Sequence, residues 1–198
     1  NWELLIWNDG STDETEAVLN DYTDSRIRLF TDTNKGYARA LNQLIIQTEA
    51  PYLAFLDDDD EWLPSKLEHQ MTVFHRFPAV DLCFGNFRNI DFSKNIENLG
   101  FVQNAAGLKK LKCENSDGVH LIKEGFLEGI GADNFIATDT VIFRRAVLDQ
   151  LRGFNTRLLN AQDFEFWWRA GLAGCRFAFI DEVLLIRNKY PGSLSGSG

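Results

Sequence analysis

The sequence has too few basic residues to bind nucleic acid by charge. Its 20 lysines and arginines are outnumbered by 29 aspartates and glutamates, which gives a formal net charge of -9 at pH 7. Binding to nucleic acid depends on basic side chains that displace counterions from the phosphates. We therefore expect no nucleic-acid partner, and a phosphate-containing ligand would need a group that offsets the acidic side chains.

The chain also lacks a disulfide framework and a membrane-spanning run. Its cysteines, Cys83, Cys113 and Cys175, are odd in number and match no CxxC metal-binding spacing, so a reducing cytosol is the simplest compartment for them. No apolar run approaches the ~20 residues needed to cross a bilayer, and no signal peptide begins the chain. The sequence predicts a soluble cytoplasmic domain, whose 44% hydrophobic content can form a substantial core.

Strand and helix patterns alternate along the first 84 residues. Short apolar runs typical of strands lie at residues 3–7, 26–30, 52–56 and 80–84. Segments with helical spacing separate them: one opened by a Ser11–Glu14 capping box, one over residues 37–48 and one from Pro64 to Pro78, with Leu67, Met71 and Phe74 on one face. The alternation predicts an α/β fold with a layered sheet. Because the chain begins directly in a strand, we expect the fold to be incomplete at the N-terminus.

The second half of the sequence is less regular. Residues 89–133 show no clean period and are predicted to form a variable, irregular region. A strand at "DTVIFRR", helices at residues 146–151 and over "NAQDFEFWWRAGLAG", and a final strand broken near Asp181 follow it. The closing residues 191–198 have the composition of a flexible tail.

Two of the predicted strands end in acidic turns. The chain reads "YLAFLDDDDEWLPSKLE" near residue 57, and Asn8 and Asp9 follow the first strand. Ligands of open α/β sheets bind beyond the carboxyl ends of the strands, and Mg²⁺ favours one or two carboxylates together with phosphate oxygens. The alternative is a solvated turn that caps the helix after Pro64, where anions are favourable. Two acidic strand ends favour a ligand site.

Four segments resemble, in the same order, the motifs of the inverting family 2 glycosyltransferases, which have the nucleotide-sugar-binding GT-A fold. "ELLIWNDGSTDET" resembles the family's strand and DDGSTD turn, and "NKGYARALNQLI" its N-x-G-x-x-x-A-x-N segment. "YLAFLDDDDEWLPSKLEHQ" resembles the Asp-x-Asp signature, and "AQDFEFWWRAG" the Glu-Asp motif that opens a helix. The resemblance implies a Rossmann-like three-layer α/β/α sandwich of GT-A type, with a mostly parallel central sheet that lacks the family's first strand.

Carried over position by position, the resemblance implies a set of site residues. Asp163 matches the general base that deprotonates the acceptor hydroxyl. Asp9 would contact the base or ribose of the nucleotide. Asp59 would bind the divalent cation, Mg²⁺ or Mn²⁺, that bridges the diphosphate, with Asp57 as a second candidate ligand. Asp57 or Asp58 would face the ribose or the water shell of the metal, and the four consecutive aspartates leave this register open by one.

Two further residues bear on the implied site. Lys35 is a candidate for neutralising the phosphates of the nucleotide sugar, with a solvated surface charge as its alternative. Gln162 stands where the family usually has Glu, which removes a charge beside Asp163. We expect one glycosyltransferase domain over residues 1–198. Its predicted parts are a nucleotide-sugar-binding half (1–88), the variable region (89–133), an acceptor-side half with the catalytic base (134–190) and the tail (191–198).

The implied function is a metal-dependent inverting glycosyltransferase. It would move a sugar from a nucleoside diphosphate sugar, first of all a UDP-sugar, to a hydroxyl of a glycan or lipid-linked saccharide in surface polysaccharide or glycan biosynthesis. The expected location is the cytoplasm, with peripheral association of the full-length protein at the inner face of the membrane as one alternative. The rival hypotheses are a nucleotidyltransferase that forms the nucleotide sugar and a catalytically silent nucleotide- or carbohydrate-binding domain.

Overall fold

The structure is a computed structural model that describes residues 1–92, 94, 96–99 and 105–190. The chain folds into two compact units. Unit 1 comprises Asn1–Ala50 and Arg152–Gln162, and unit 2 comprises Pro51–Leu151 and the chain from Asp163 onward. The predicted boundaries at residues 88 and 133 separate parts of the chain by function, so they stay a prediction. The predicted tail, 191–198, lies outside the described residues.

Unit 1 is built on two parallel strands and two helices. Its elements are β1 (Leu4–Asn8), α1 (Thr15–Asn20), β2 (Ile27–Thr31) and α2 (Tyr37–Ile45). The strands pair with Leu4 opposite Ile27, and α2 buries one face formed by Ala38, Leu41 and Ile45. This spacing of three and four residues is the helical period that the sequence showed.

The predicted capping box at Ser11 is wrong. Helix α1 begins four residues after Ser11, at Thr15, and its N-cap residue Glu14 makes no side-chain capping bond. Asp13 takes that role instead, because its Oδ1 accepts hydrogen bonds from the backbone N–H (3.0 Å) and the hydroxyl (2.5 Å) of Thr15. A side-chain oxygen still caps the helix, at a different position from the predicted one.

In the residues that the structure describes, unit 2 contains a mixed sheet and four helices. The strands are β3 (Tyr52–Ala54), β4 (Glu61–Trp62), β5 (Leu82–Asp91), β6 (Ile96–Leu99), β7 (Lys112–Ser116), β8 (Val119–Glu124), β9 (Ile142–Arg144) and β10 (Phe177–Lys189). The helices are α3 (Lys66–Arg76), α4 (Phe126–Ala132), α5 (Arg145–Leu151) and α6 (Gln162–Leu172), with short 3-10 helices at Leu108–Lys110 and Thr138–Thr140.

The sheet of unit 2 is mixed, whereas the sequence predicted a mostly parallel one. Its order is β3-β9-β5-β10-β8-β7, with β4 paired to β10 and β6 to β5. Within the described residues of this sheet, β5 and β10 pair in parallel and the other neighbours are antiparallel. The predicted break near Asp181 is a bulge: the register shifts between Ile180 and Val183, and β10 then continues along β5.

The expectation of irregular structure over residues 89–133 is wrong for much of that region. The hairpin of β7 and β8 extends the sheet beside β10, and α4 follows it. Strand β7 is mostly exposed and has the sequence KCENS, so it carries no apolar alternation that a pattern search could detect. No helix in the described part of the chain is both long and apolar enough to span a bilayer.

Aromatic side chains form much of the interior of unit 2. Phe143 lies 5.7 Å from Phe166 and 6.3 Å from Trp167 between ring centroids, and all three side chains are fully buried. Aromatic rings of this size bury large areas and favour tilted or edge-to-face packing. The core thereby fixes β9 against α6, the helix that carries Asp163.

Candidate active site

The four consecutive aspartates form a turn between β3 and β4. The backbone N–H of Asp60 donates to the carbonyl of Asp57 at 3.2 Å, which closes the turn. Asp58 is exposed, while Asp57 and Asp59 are partly exposed. We call residues 57–60 the acidic turn. Strand β4, which follows it, pairs with β10, so the turn is held against the long strand of the sheet.

Asn188 of β10 binds the acidic turn directly. Its backbone N–H donates to Oδ1 of Asp60 and its Nδ2 donates to the carbonyl of Asp59, both at 2.9 Å. Asn188 is buried. Asp60 is therefore a structural member of the turn and does not cap α3, whose N-cap residue is Ser65.

Asp139 lies beneath the acidic turn and is only 4% exposed. Its Oδ1 accepts the backbone N–H of Asp57 at 3.0 Å, and its carbonyl accepts the indole N–H of Trp62 at 2.9 Å. Its carboxyl group also forms a hydrogen bond with the carboxyl group of Asp60. Burial, reinforced by the charge of Asp57, raises the pKa of Asp139 to about 9. The raised pKa favours a proton on this pair, as a hydrogen bond between two carboxyl groups requires.

A buried lysine supports the same region from α3. Lys66 is fully buried, and its Nζ donates to Oε1 of Gln70 at 2.8 Å and lies 4.3 Å from the ring centroid of Trp62. Burial lowers the pKa of Lys66 to about 7. The sequence patterns predicted no role for Lys66, Asp139 or Asn188, because polar residues within a strand or helix pattern are expected to be exposed.

Asp163 lies in the first turn of α6 and is partly exposed. Its Oδ2 accepts hydrogen bonds from the hydroxyl of Thr138 at 3.3 Å and from Nδ2 of Asn134 at 3.4 Å. Both distances are long for such bonds, and both donors approach the same carboxylate oxygen. Thr138 is the chain neighbour of Asp139. Unit 2 therefore brings Asp163 and the acidic turn together through adjacent residues of one 3-10 helix.

The two remaining site residues lie in unit 1. The carboxylate oxygens of Asp9 each accept a backbone N–H at 2.9 Å, Oδ1 from Lys35 and Oδ2 from Gly36. Gly36 has a φ of +91°, a conformation that side chains disfavour, just before α2 begins. Asp9 thus fixes the loop ahead of α2, and each of its oxygens has a second lone pair for another donor.

Lys35 forms an ion pair with Asp32. Both side chains line a cavity of about 380 Å³ in unit 1, together with Arg39, Asn42, Gln43 and Thr156. The cavity is bordered by two cations and one carboxylate, a charge pattern that suits an anion such as phosphate more than a cation. The acidic turn belongs to unit 2 and does not line this cavity.

The acidic turn fits a divalent cation by the chemistry of its donors. Across the described residues, no three His, Cys, Asp or Glu side chains are placed to hold a metal by themselves. A metal that binds a diphosphate does not need three, because one or two carboxylates suffice when phosphate oxygens and water complete its octahedron. Asp57 and Asp59, which are partly exposed and carry hard oxygen donors, match that requirement.

A match to a family model establishes which protein family the chain belongs to. The family model "Glycosyl transferase family 2" matches residues 1–151 of the 198. The chain belongs to glycosyltransferase family 2. This confirms the resemblance seen in the four sequence motifs, although the matched range ends before Asp163.

Curated relatives that are named as glycosyltransferases support the same family. The chain is 28% identical over 189 residues to the amylovoran biosynthesis glycosyltransferase AmsB of Erwinia amylovora, covering 93% of this chain and 59% of that protein. It is 37% identical over 92 residues to the Escherichia coli enzyme named UDP-Glc:alpha-D-GlcNAc-diphosphoundecaprenol beta-1,3-glucosyltransferase WfgD, covering 46% of this chain and 36% of WfgD. The chain thus spans one third to three fifths of the length of these relatives.

Solved structures confirm the GT-A type of α/β fold. S. aureus TarS in complex with UDP-GlcNAc superposes with a TM-score of 0.72 and 18% identity, over 99% of this chain and 52% of that one. The mannosyltransferase PcManGT of Pyrobaculum calidifontis, in complex with GDP-Man and Mn²⁺, superposes with a TM-score of 0.68 and 16% identity, over 97% of this chain and 49% of that one. At these identities the likeness concerns the fold alone.

Proposed function

We propose that the protein is a metal-dependent inverting glycosyltransferase that moves a sugar from a nucleoside diphosphate sugar to a hydroxyl acceptor. The observation that carries the proposal is that unit 2 contains both the acidic turn and the carboxylate of Asp163. The acidic turn and Asp163 are held by the adjacent residues Asp139 and Thr138. A single displacement needs a base at the acceptor and a countercharge at the leaving group, which are the two functions these groups can supply.

In this proposal the acidic turn binds the diphosphate end of the donor. Asp59 and Asp57 would hold Mg²⁺ or Mn²⁺, and Asp57 or Asp58 would face the ribose. The bound cation would supply positive charge to the departing diphosphate. Asn188 and Asp139 keep the backbone of the turn fixed, so that its carboxylates need little reorganisation when the donor binds.

Asp163 is proposed as the general base. Its partly exposed carboxylate would accept the proton of the acceptor hydroxyl as that oxygen attacks the anomeric carbon from the side opposite the diphosphate. The attack breaks the bond between the anomeric carbon and the diphosphate oxygen, and it inverts the anomeric configuration. Thr138 and Asn134 orient the carboxylate oxygen Oδ2.

Unit 1 is proposed to bind the nucleotide. Asp9 would accept hydrogen bonds from the base or ribose through its remaining lone pairs. Lys35 would turn from Asp32 to a phosphate when the donor binds, because a diphosphate carries more charge than one carboxylate. A UDP-sugar is the first donor to test, since the fold neighbour TarS was solved with UDP-GlcNAc.

The proposed acceptor is a glycan or a lipid-linked saccharide in surface polysaccharide biosynthesis. The names of WfgD, of AmsB and of the putative teichuronic acid biosynthesis glycosyltransferase TuaG of Bacillus subtilis support this. TuaG is 40% identical over 74 residues, covering 36% of this chain and 29% of TuaG. The proposed location is the cytoplasm, at the inner face of the membrane where lipid-linked acceptors would be presented.

Replacing Asp163 by Asn tests the proposal in the intact protein. D163N keeps the shape of the side chain but cannot take up a proton, so transfer should fall by about 100-fold or more while binding of UDP with Mn²⁺ is retained. The matched control is D149N, which removes an exposed carboxylate from α5. If D163N transferred the sugar at the wild-type rate, the assignment of Asp163 as the base would be overturned.

The same assays separate the rival functions. Release of pyrophosphate from a nucleoside triphosphate and a sugar phosphate would indicate a nucleotidyltransferase. Binding of nucleotide and Mn²⁺ without transfer or hydrolysis of any nucleotide sugar would indicate a silent binding domain. Transfer that proceeds with the configuration at the anomeric carbon retained would contradict the single displacement.

A further inference from the structure

Two neighbouring residues of the 3-10 helix Thr138–Thr140 form hydrogen bonds to the two parts of the candidate site, Asp163 and the acidic turn. Thr138 donates its hydroxyl to Asp163, and Asp139 accepts the backbone N–H of Asp57. Thr138 and Asp139 are both buried, at 9% and 4% exposure. A change in the placement of this helix would therefore move the base and the acidic turn relative to each other.

Asp139 is connected to both ends of the acidic turn. It accepts the N–H of Asp57 at the first residue of the turn and is hydrogen-bonded to the carboxyl group of Asp60 at the last. Its carbonyl also accepts the indole N–H of Trp62 in β4. These three connections fix the backbone path on which the side chains of the intervening Asp58 and Asp59 are displayed.

The helix itself is anchored to the core. The side-chain amide of Gln70 donates to the carbonyls of Thr140 and of Cys83 in β5, both at 2.8 Å. The hydroxyl of Thr140 donates to the carbonyl of Ala137 at 2.7 Å. Gln70 and Thr140 are fully buried, so these bonds do not compete with water. The helix is thus a rigid spacer between two functional groups.

We propose that Thr138 and Asp139 are positioning residues that set the spacing between the acidic turn and Asp163. This inference rests on the proposed function, in which those two groups serve the leaving diphosphate and the attacking hydroxyl. Neither residue touches substrate in the proposal. Reacting atoms must lie in near-attack geometry, and a displacement of about 1 Å can lower the rate by about 100-fold, so the spacing matters for rate.

The two residues have separable effects, because each serves a different group. D139L removes the acceptor for Asp57 and the partner of Asp60, so the affinity for UDP in the presence of Mn²⁺ should fall by about 10- to 100-fold and the donor KM should rise. D139N keeps an acceptor oxygen for the N–H of Asp57 and supplies an N–H to Asp60. Isothermal titration calorimetry with UDP and Mn²⁺ should therefore show D139N close to wild type.

Thr138 should affect the chemical step alone. T138V has nearly the same shape but loses the hydroxyl that orients Asp163, so kcat should fall by about 10-fold or more while the affinity for UDP with Mn²⁺ is unchanged. T138S restores a hydroxyl and should recover most of kcat. A merely structural role for Thr138 would lower thermal stability without this division between kcat and nucleotide affinity.

The outcomes distinguish this inference from the proposed function. If D139L folds and binds UDP and Mn²⁺ like wild type, the positioning role of Asp139 is overturned. If T138V has the wild-type kcat, the positioning role of Thr138 is overturned. In both cases the glycosyltransferase proposal stands. Wild-type protein that binds no nucleotide with Mn²⁺ overturns both. If D139L does not fold, D139S takes its place, since its hydroxyl is too short to reach Asp57. Unchanged nucleotide affinity in D139S overturns the role of Asp139.

Discussion

Lys66 and Gln70, one turn apart on α3, form a buried hydrogen bond of 2.8 Å between Nζ and Oε1. Gln70 gives its N–H groups to the carbonyls of Cys83 and Thr140, which aims its oxygen at the lysine. Lys66 therefore lies in a site that accepts one of its hydrogens and provides the ring of Trp62 beside it. The ring of Trp62 favours the charged ammonium, but burial outweighs it and lowers the pKa of Lys66 to about 7.

The low pKa of Lys66 predicts a pH-dependent stability. The unfolded lysine titrates near 10.5 and the folded one near 7, so between these values the unfolded state binds more protons and the free energy of unfolding rises with pH. The cost of burying the charge is fully present below about pH 7 and disappears above about pH 10.5. Each unit of the shift is about 1.4 kcal/mol, so the effect should be several kcal/mol.

K66M should lack this contribution. Urea unfolding of wild type and K66M at several pH values measures it. Cys83 and Asp139 are the ionisable groups whose charges act on Lys66. The stability of K66M relative to wild type should be highest near pH 6 and fall as the pH rises towards 10. Exposed Lys109 provides the control K109M. Parallel pH profiles of stability for wild type and K66M would show that folding does not shift the pKa of Lys66.

Asn42 anchors the segment 152–162 to α2 in unit 1. Its Nδ2 donates to the carbonyl of Phe154 and its Oδ1 accepts the N–H of Phe154, both at 2.9 Å. N42L removes both of these hydrogen bonds, so it should destabilise the protein by about 2 kcal/mol. Amide exchange at Phe154 should accelerate accordingly. The neighbouring exposed Gln43 offers the control Q43L, and unchanged exchange at Phe154 in N42L would contradict the prediction.

Gly85 of β5 leaves room for a leucine of β10. A Cβ at this position would lie 2.4 Å from Cδ1 and 2.8 Å from Cγ of Leu184, which is fully buried. G85A should therefore cost about 1 to 3 kcal/mol through overpacking. In the L184A background, which provides space, the same substitution should cost much less, and a double-mutant cycle by urea unfolding measures the difference. Additive effects of G85A and L184A would show that the two side chains do not compete for space.

Ligand-dependent stability tests the metal requirement independently of transfer. At about 100 times its dissociation constant, a nucleotide adds about 2.7 kcal/mol of stability, which raises the melting temperature by about 5 to 10 °C for a chain of this size. We expect this response from UDP only when Mn²⁺ is present. Thermal-shift assays with UDP, GDP, TDP and CMP, each with and without Mn²⁺, provide the measurement. An equal response to every nucleotide, or one independent of metal, would contradict the assignment.

The inner face of α3 shows why part of the site could not be predicted. The apolar pattern placed Leu67, Met71 and Phe74 on the buried face, and Phe74 is indeed buried. Leu67 is 38% exposed, however, and its place is taken by Lys66 and Gln70, which are buried. A periodicity search assigns polar residues to the solvent side, and their burial is favourable here only because partners on β5 and on the Thr138–Thr140 helix satisfy them.

The sequence by itself determined the features that depend on neighbouring residues. It placed most strands and helices within a few residues, located the acidic turn after β3, and carried the four ordered motifs that identified the family. These signals are local, since a strand period, a turn or a motif is complete within about 20 residues.

Only the tertiary structure decided which residues complete the site. The backbone N–H of Asp57 donates to Asp139, 82 residues away, and Asp60 accepts the backbone N–H of Asn188, 128 residues away. Neither residue stands out in the sequence, because an isolated aspartate or asparagine is ordinarily exposed. Their burial follows from the pairing of β4 with β10 and from the packing of the 3-10 helix on α3, contacts that no local pattern encodes.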